Sequence, residues 1–321
     1  MSYSSAQFSG LSALFKIDLK LFVLVTLIVI IGLATLFSVS GGDVNLIIKQ
    51  LIRIAVGLTA MIILAQIHPD NFRLFSPLLY FFGIILLVLT IFFGVGKSAD
   101  RWLDFYILRF QPSELMKLFV PLMIASFYSD KALPPKLKNL SIAVIIIVVP
   151  ALLIAKQPDL GTALLITSSG VIAIFLSGIK LAHIFLGTAL VIGAIPLLWS
   201  FMYEYQKSRV LSFFSPNTDA LGTGYHLAQS KISLGSGGLF GKGYMNGTQS
   251  QLDFLPENHT DFIFSAFGEE FGFIGVIILI SLYVLVVLRG MSISIKATDN
   301  FSRILSATLI LTIFLYVLVN V

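Results

Sequence analysis

Long apolar runs alternate with short polar connections along this chain, and the runs dictate its architecture. Residues 19–39, LKLFVLVTLIVIIGLATLFSV, are typical: their only charge is one lysine at an end, and just three hydroxyl residues interrupt the apolar run. About 20 such residues in a helix cross the ~30 Å hydrocarbon core of a bilayer. A helix satisfies its own backbone hydrogen bonds there, so the runs are read as helices. Nine segments meet the pattern, at roughly 19–39, 46–66, 75–95, 112–128, 139–155, 160–178, 181–202, 261–288 and 303–320. The fourth and fifth are short and carry Pro121 and Pro150, which predicts tilt or kinks. The fold class is therefore all-α, a polytopic membrane helix bundle.

Between spans seven and eight lies the longest polar segment, 203–260. Its aromatics, among them Tyr203, Phe213, Tyr225, Tyr244 and Phe254, predict a partly helical layer on the membrane face. It also holds a glycine-rich run, GSGGLFGKG at 235–243. Two readings stand for that run. Its amides could cradle a phosphate, or its glycines could merely permit tight turns. A second segment, 96–112, flanks aromatics with Arg101 and Arg109 and reads as an interfacial amphipathic stretch.

Composition supports the membrane reading. Of 321 residues, 57% are hydrophobic and 12% charged, with a mean hydropathy of +0.97. Soluble domains are nearer one quarter charged. The net charge of +5 is scattered among the spans, so it speaks for topology rather than nucleic acid. Without cysteine, disulfides and thiol chemistry are excluded, and the four histidines are too dispersed for a zinc cluster. Residues 1–18 lack the apolar core of a cleavable signal peptide. With the N-terminus in the cytoplasm, ten Lys and Arg fall in short inner loops, against Lys97, Arg101, Arg109 and Lys156 outside. The positive-inside rule favours that orientation and makes 203–260 extracytoplasmic.

Charges inside or at the mouth of spans carry the candidate chemistry. Asp253, Glu257, His259 and Asp261 crowd the entry to the eighth span, with Glu269 and Glu270 two to three turns inside it. Glu114 and Lys117 share a helix face just after Pro112, as a site or as a structural ion pair. Asp159 is adequately explained as a helix cap. Lys49 and Arg53 lie four apart, placed either to bind an anionic headgroup or to snorkel. On this topology nearly all of them fall in one outer-leaflet layer, which suggests a lipid-headgroup site.

Several stretches resemble the SEDS family of shape, elongation, division and sporulation proteins. They are LPENHTDFIF (255–264) with GEEFGFIG (268–275), RFQPSELMKL (109–118), QPDLGTA (157–163) and GYHLAQSKISLGSGGLFGKG (224–243). The wording GTQSQLDFLPE (247–257) is nearer the elongation branch than the division branch. The resemblance covers essentially the whole chain as a single SEDS domain, 1–321. It implies ten spans, so a further one is expected after Val321. It also implies a peptidoglycan glycosyltransferase of the bacterial cytoplasmic membrane that polymerises lipid II, a disaccharide-pentapeptide on undecaprenyl pyrophosphate. A class B penicillin-binding protein and other elongation-complex proteins are the implied partners. By motif match, Asp261 takes the place of the family's essential carboxylate, and Glu114 with Lys117 its acidic–basic pair. Lys49, Arg101, Arg109, Asp159, Lys242, Glu257 and His259 are the candidate substrate contacts. A divalent cation, Mg or Mn, could bridge Asp261 and the pyrophosphate. A lipid II flippase and a non-catalytic scaffold remain the rival readings.

Overall fold

The computed structural model describes residues 16–96, 101–104, 109–202, 207, 211, 223–251 and 260–321. Each of the nine expected spans is a helix. They are α1 (Leu19–Val39), α2 (Val44–Gln66), α3 (Pro69–Phe93), α4 (Pro112–Ser129), α5 (Leu137–Lys156), α6 (Leu160–Leu176), α7 (Leu181–Phe201), α10 (Ile263–Ile295) and α11 (Asn300–Asn320). Between α7 and α10 lie α8 (Thr223–Ser236) and the single turn α9 (Thr248–Gln251). Strands β1 (Leu103–Asp104) and β2 (Arg109–Phe110) pair antiparallel before α4.

Six helices, α1, α2, α3, α5, α10 and α11, are long and apolar enough to cross a membrane by length and composition. Helix α6 is shorter, and α4 opens on the polar turn PSEL. Local chemistry sets the ends. Asp18 accepts the Leu21 amide at 2.9 Å, and prolines open α3 and α4, where a missing N–H is harmless. Helix α3 starts earlier than hydropathy alone suggests because its first turn, PDNF, is polar. Pro121 and Pro150 both lie buried within their helices.

Two compact units divide the chain. One contains α1, α2, α8, α9 and α10 as far as Val286; the other contains α3 to α6, α7 as far as Leu198, and Val287–Leu318. In the second unit α4 is the central helix. Its stripe Met116, Val120, Ile124 and Tyr128 is fully buried, against Leu87 of α3, Ile146 and Ile147 of α5, and Ile166 of α6. That i, i+4 spacing is the inward face of a helix, while Leu118 and its like face outward. Small residues bring these helices close, as membrane packing favours. A Cβ on Gly83 would lie 2.3 Å from Met116 Sδ, and one on Gly170 would lie 2.4 Å from Ile147 Cγ1.

In the first unit the decisive feature is a break in α10 at Gly272, where φ is 67° and ψ is −169°. The glycine-rich run fills that break. The amides of Lys242 and Gly243 donate to the carbonyls of Glu269 and Glu270, each at 3.0 Å. Past the break, the Phe273 and Ile274 amides donate to the carbonyls of Gly238 (2.9 Å) and Leu239 (3.2 Å). Freed backbone groups at membrane depth must find such partners. The contact is backbone on backbone: a Cβ at Gly237 would meet Gly268 O at 2.1 Å, and one at Gly241 would meet Glu270 O at 2.0 Å. The phosphate-cradle reading of this run therefore gives way, because the amides of Gly238, Gly241, Lys242 and Gly243 already donate to carbonyls of the protein.

Gly241→Ala should lower the thermal midpoint of the purified protein strongly. It places a methyl against backbone and strains a residue at φ +80°, a conformation that alone carries roughly 1–3 kcal/mol. Gly235→Ala, which meets nothing within 4 Å, should leave the midpoint nearly unchanged. Equal midpoints for the two variants in a thermal melt would contradict the docked run.

Candidate functional site

Asp261 lies in the turn 260–262 that leads into α10. Its side chain is exposed and has no hydrogen-bond or ion-pair partner among the described residues. The residues after it are fixed. Phe262 packs on Val39 and Ala266, and its carbonyl receives the amides of Ser265 (3.0 Å) and Ala266 (3.2 Å). Helix α8 holds the same turn of α10. The Ser230 and Ser265 hydroxyls are 2.6 Å apart, and Ser233 Oγ donates to the Ser265 carbonyl at 3.2 Å. A free carboxylate thus sits at the head of an anchored helix.

Two turns further in, Glu269 is fully buried and surrounded by donors. Lys242 Nζ approaches its carboxylate at 2.6 Å, the Thr248 amide at 2.9 Å, Thr248 Oγ1 at 3.0 Å and the Gln249 amide at 3.1 Å. Ser233 and Ser236 add longer contacts of 3.3 and 3.4 Å. The carboxylate therefore caps α9 and neutralises Lys242 at once, and charge plus hydrogen bonds is what makes a buried carboxylate tolerable. Beside it, Glu270 accepts from Ser38 Oγ at 2.5 Å, and that hydroxyl in turn accepts the Met245 amide at 3.1 Å. Tyr244 Oη completes the seam by donating to the Ala34 carbonyl at 3.0 Å. Thr260 and Ile263, either side of Asp261, border a cavity of about 600 Å3 that reaches α1 and α2 and includes Lys49 and Arg53.

The second unit carries the other candidates, gathered where α4 and α6 begin. Lys117 Nζ donates to Glu114 Oε1 at 2.7 Å and lies 4.9 Å from the centroid of the Tyr316 ring. The lysine side chain is 18% exposed and the glutamate 55%, so the carboxylate faces outward and the ammonium inward. Asp159 is buried and caps α6, accepting from the Thr162 amide (3.2 Å), Thr162 Oγ1 (3.0 Å) and Gln111 Nε2 (2.9 Å). Arg101 stands 3.8 Å from the same carboxylate and donates to the Gln157 and Pro158 carbonyls. Arg109 lies over the Trp102 ring, 5.4 Å from its centroid, on the small hairpin. At the opposite end of α4, Arg73 pairs with Asp130.

The sequence-predicted residues thus fall into distinct settings. Asp261, Lys49 and Lys242 belong to the first unit; Glu114, Lys117, Arg101, Arg109 and Asp159 belong to the second. Glu257 and His259 lie outside the described residues. Of the anticipated substrate contacts, Lys242 is committed to Glu269, and Asp159 to its cap and to Gln111. Ser38, Thr248, Gln111, Gln157 and Tyr316 escaped the sequence reading. They are neutral residues whose partners lie far along the chain, and neither charge nor hydropathy marks them.

A multi-pass helical membrane protein, with charged side chains set both within its helices and at their ends, is the class these features define. The cell cycle protein family of FtsW, RodA and SpoVE matches residues 12–321, and the chain belongs to it. It is 47% identical over 303 residues to the peptidoglycan glycosyltransferase MrdB of Escherichia coli (strain K12), covering 94% of this chain and 82% of MrdB. Its structure is similar to that of Thermus thermophilus rod shape determining protein RodA, with 25% identity, a TM-score of 0.69, and 94% and 83% of the two chains covered. It is also similar to a chain from a peptidoglycan synthase complex described as coordinating polymerization and crosslinking. That match has 26% identity, a TM-score of 0.81, and 94% and 85% coverage.

Removing one partner of a buried ion pair leaves the other charge uncompensated, typically ~3–5 kcal/mol of destabilisation, whereas removing both is far milder. Lys242→Met should therefore lower the thermal midpoint more than the double variant Lys242→Met/Glu269→Gln does. Additive losses in that double-mutant cycle would contradict the coupling.

Proposed function

We propose that this protein polymerises lipid II into glycan strands at the outer face of the bacterial cytoplasmic membrane, in the service of cell elongation. The observation that carries the reading is the 47% identity, along 94% of the chain, to a protein named as a peptidoglycan glycosyltransferase. The similarity to a synthase complex that coordinates polymerization and crosslinking supports a transpeptidase partner, a class B penicillin-binding protein. The ten-to-four bias of Lys and Arg in short loops supports a cytoplasmic N-terminus, with Asp261 and the start of α4 outside.

The reaction joins a sugar hydroxyl of one lipid II to the anomeric carbon of another glycan. A C–O bond forms as the bond to the lipid diphosphate breaks, and the hydroxyl proton passes to a base. Asp261 takes that proton: its carboxylate is exposed, has no partner among the described residues and is held at the head of α10. In the second unit, taken by itself, Lys117, Arg101 and Arg109 are the cations that the family resemblance offers as contacts for a lipid diphosphate. Glu114 orients Lys117 through their 2.7 Å contact. Asp159 and Lys242, whose polar atoms are engaged, act as framework that holds α6 and α9 in place. Among the described residues no three His, Cys, Asp or Glu side chains gather as a metal cluster. Asp261 is the residue that would hold a divalent cation, together with substrate phosphate and water oxygens; the chemistry such an ion would supply is to offset the diphosphate charge.

Asp261→Asn should cut glycan formation from purified lipid II by about 100-fold or more, the usual scale for losing a general base, with the thermal midpoint unchanged. Glycan strands made by Asp261→Asn at the wild-type rate would sink the base assignment. They would also return weight to a flippase or scaffold role, in which that carboxylate is dispensable.

A further inference from the structure

On the inward face of α11, buried Ile304, Thr308 and Thr312 recur every four residues, while Ile313, Phe314 and Leu318 are exposed. The two threonines turn their hydroxyls to their own helix, donating to the carbonyls of Ile304 (2.6 Å) and Thr308 (2.8 Å). In its first turns the helix joins the apolar cluster of the second unit through Phe301, Ile304 and Leu305. Tyr316 takes the next place at the same spacing, roughly 18 Å along the helix from Ile304, and there it meets a charge. Its ring centroid lies 4.9 Å from Lys117 Nζ, within the ~6 Å reach of a cation–π contact.

Lys117 is half-buried on α4, and its ammonium carries three donors. Glu114 Oε1 accepts one of them at 2.7 Å, from a carboxylate that is itself exposed. A single exposed carboxylate one turn away on the same helix holds a long side chain loosely, because such pairs are weak. A ring from a second helix fixes what the pair alone does not. Its negative face attracts the ammonium without adding a charge, so the cation is located but not further neutralised. Leucine packs a helix face as well; only an aromatic ring offers that negative face. We propose that Tyr316 is a positioning residue: its ring, together with Glu114, sets where the Lys117 ammonium stands. That this ammonium serves glycan synthesis rests on the glycosyltransferase reading; the ring's hold on it does not.

The test takes two readouts from the full chain in nanodiscs with its transpeptidase partner. The first is acylation of Lys117 by a water-soluble amine reagent, followed by mass spectrometry with Lys49 as the internal reference. An ammonium released from the ring meets the reagent more freely. Tyr316→Leu should therefore raise Lys117 labelling relative to Lys49 by about fivefold or more, and Tyr316→Phe should leave it within about twofold of the wild type. The second readout is glycan synthesis from lipid II. Tyr316→Leu should cut kcat about tenfold, the scale of a desolvated cation–π contact, with KM within about twofold. Tyr316→Phe keeps the ring face and should retain most of the rate. Equal Lys117 labelling in all three proteins, or equal losses in the Phe and Leu variants, would overturn the positioning role. So would a wild-type kcat in Tyr316→Leu. If the wild type made no glycan, the glycosyltransferase reading would fall, and the labelling alone would decide the ring's hold on Lys117.

Discussion

The buried carboxylate of Glu269 is the constraint on which the first unit depends. An uncompensated charge in an apolar span is strongly unfavourable, so Glu269 draws in Lys242, the first turn of α9 and two serines of α8. Those contacts pull the glycine-rich run onto α10, at the point where Gly272 interrupts the helix and exposes backbone groups. Each half of the junction requires the other. Without the break the run has no carbonyls to meet, and without the run the break leaves amides and carbonyls unsatisfied in the membrane. The outcome is a head of α10 tied to α8 and α1, with Asp261 exposed on its unit.

Four carboxylates of this protein sit in different environments. Glu269 is buried and saturated with donors, Asp159 is buried and spent on capping α6, and Glu114 is bound to Lys117. Asp261 is exposed with no partner among the described residues. A group whose lone pairs are already taken holds structure; one left open can accept a proton. The same logic separates the cations. Lys242 is neutralised by a buried partner, whereas Lys49 and most of the Arg53 fork face a cavity.

Much of the fold was legible because membrane helices announce themselves by length and apolarity, and all nine expected spans are helices. Boundaries shifted where a polar first turn is still helical, as at Pro69–Phe72. The capping role of Asp159 could be read from its place before Leu160. The glycine-rich run could not be read, because its purpose depends on a helix break more than twenty residues downstream that a period-3.6 pattern does not reveal. Glu269 and Glu270 were visible as unfavourable charges, but their partners Lys242 and Ser38 are 27 and 232 residues away. Pairing at such distances follows from packing rather than from local pattern.

On this reading the protein forms glycosidic bonds rather than moving or merely scaffolding lipid II. That bond-forming role is tested most directly by supplying lipid II as the sole substrate to the purified protein, reconstituted with its transpeptidase partner and free of other glycosyltransferases, and resolving the products by gel electrophoresis. Glycan strands that lengthen with time, with release of the polyprenyl diphosphate, are the expected product. Lipid II that crosses the bilayer but stays monomeric would contradict that role.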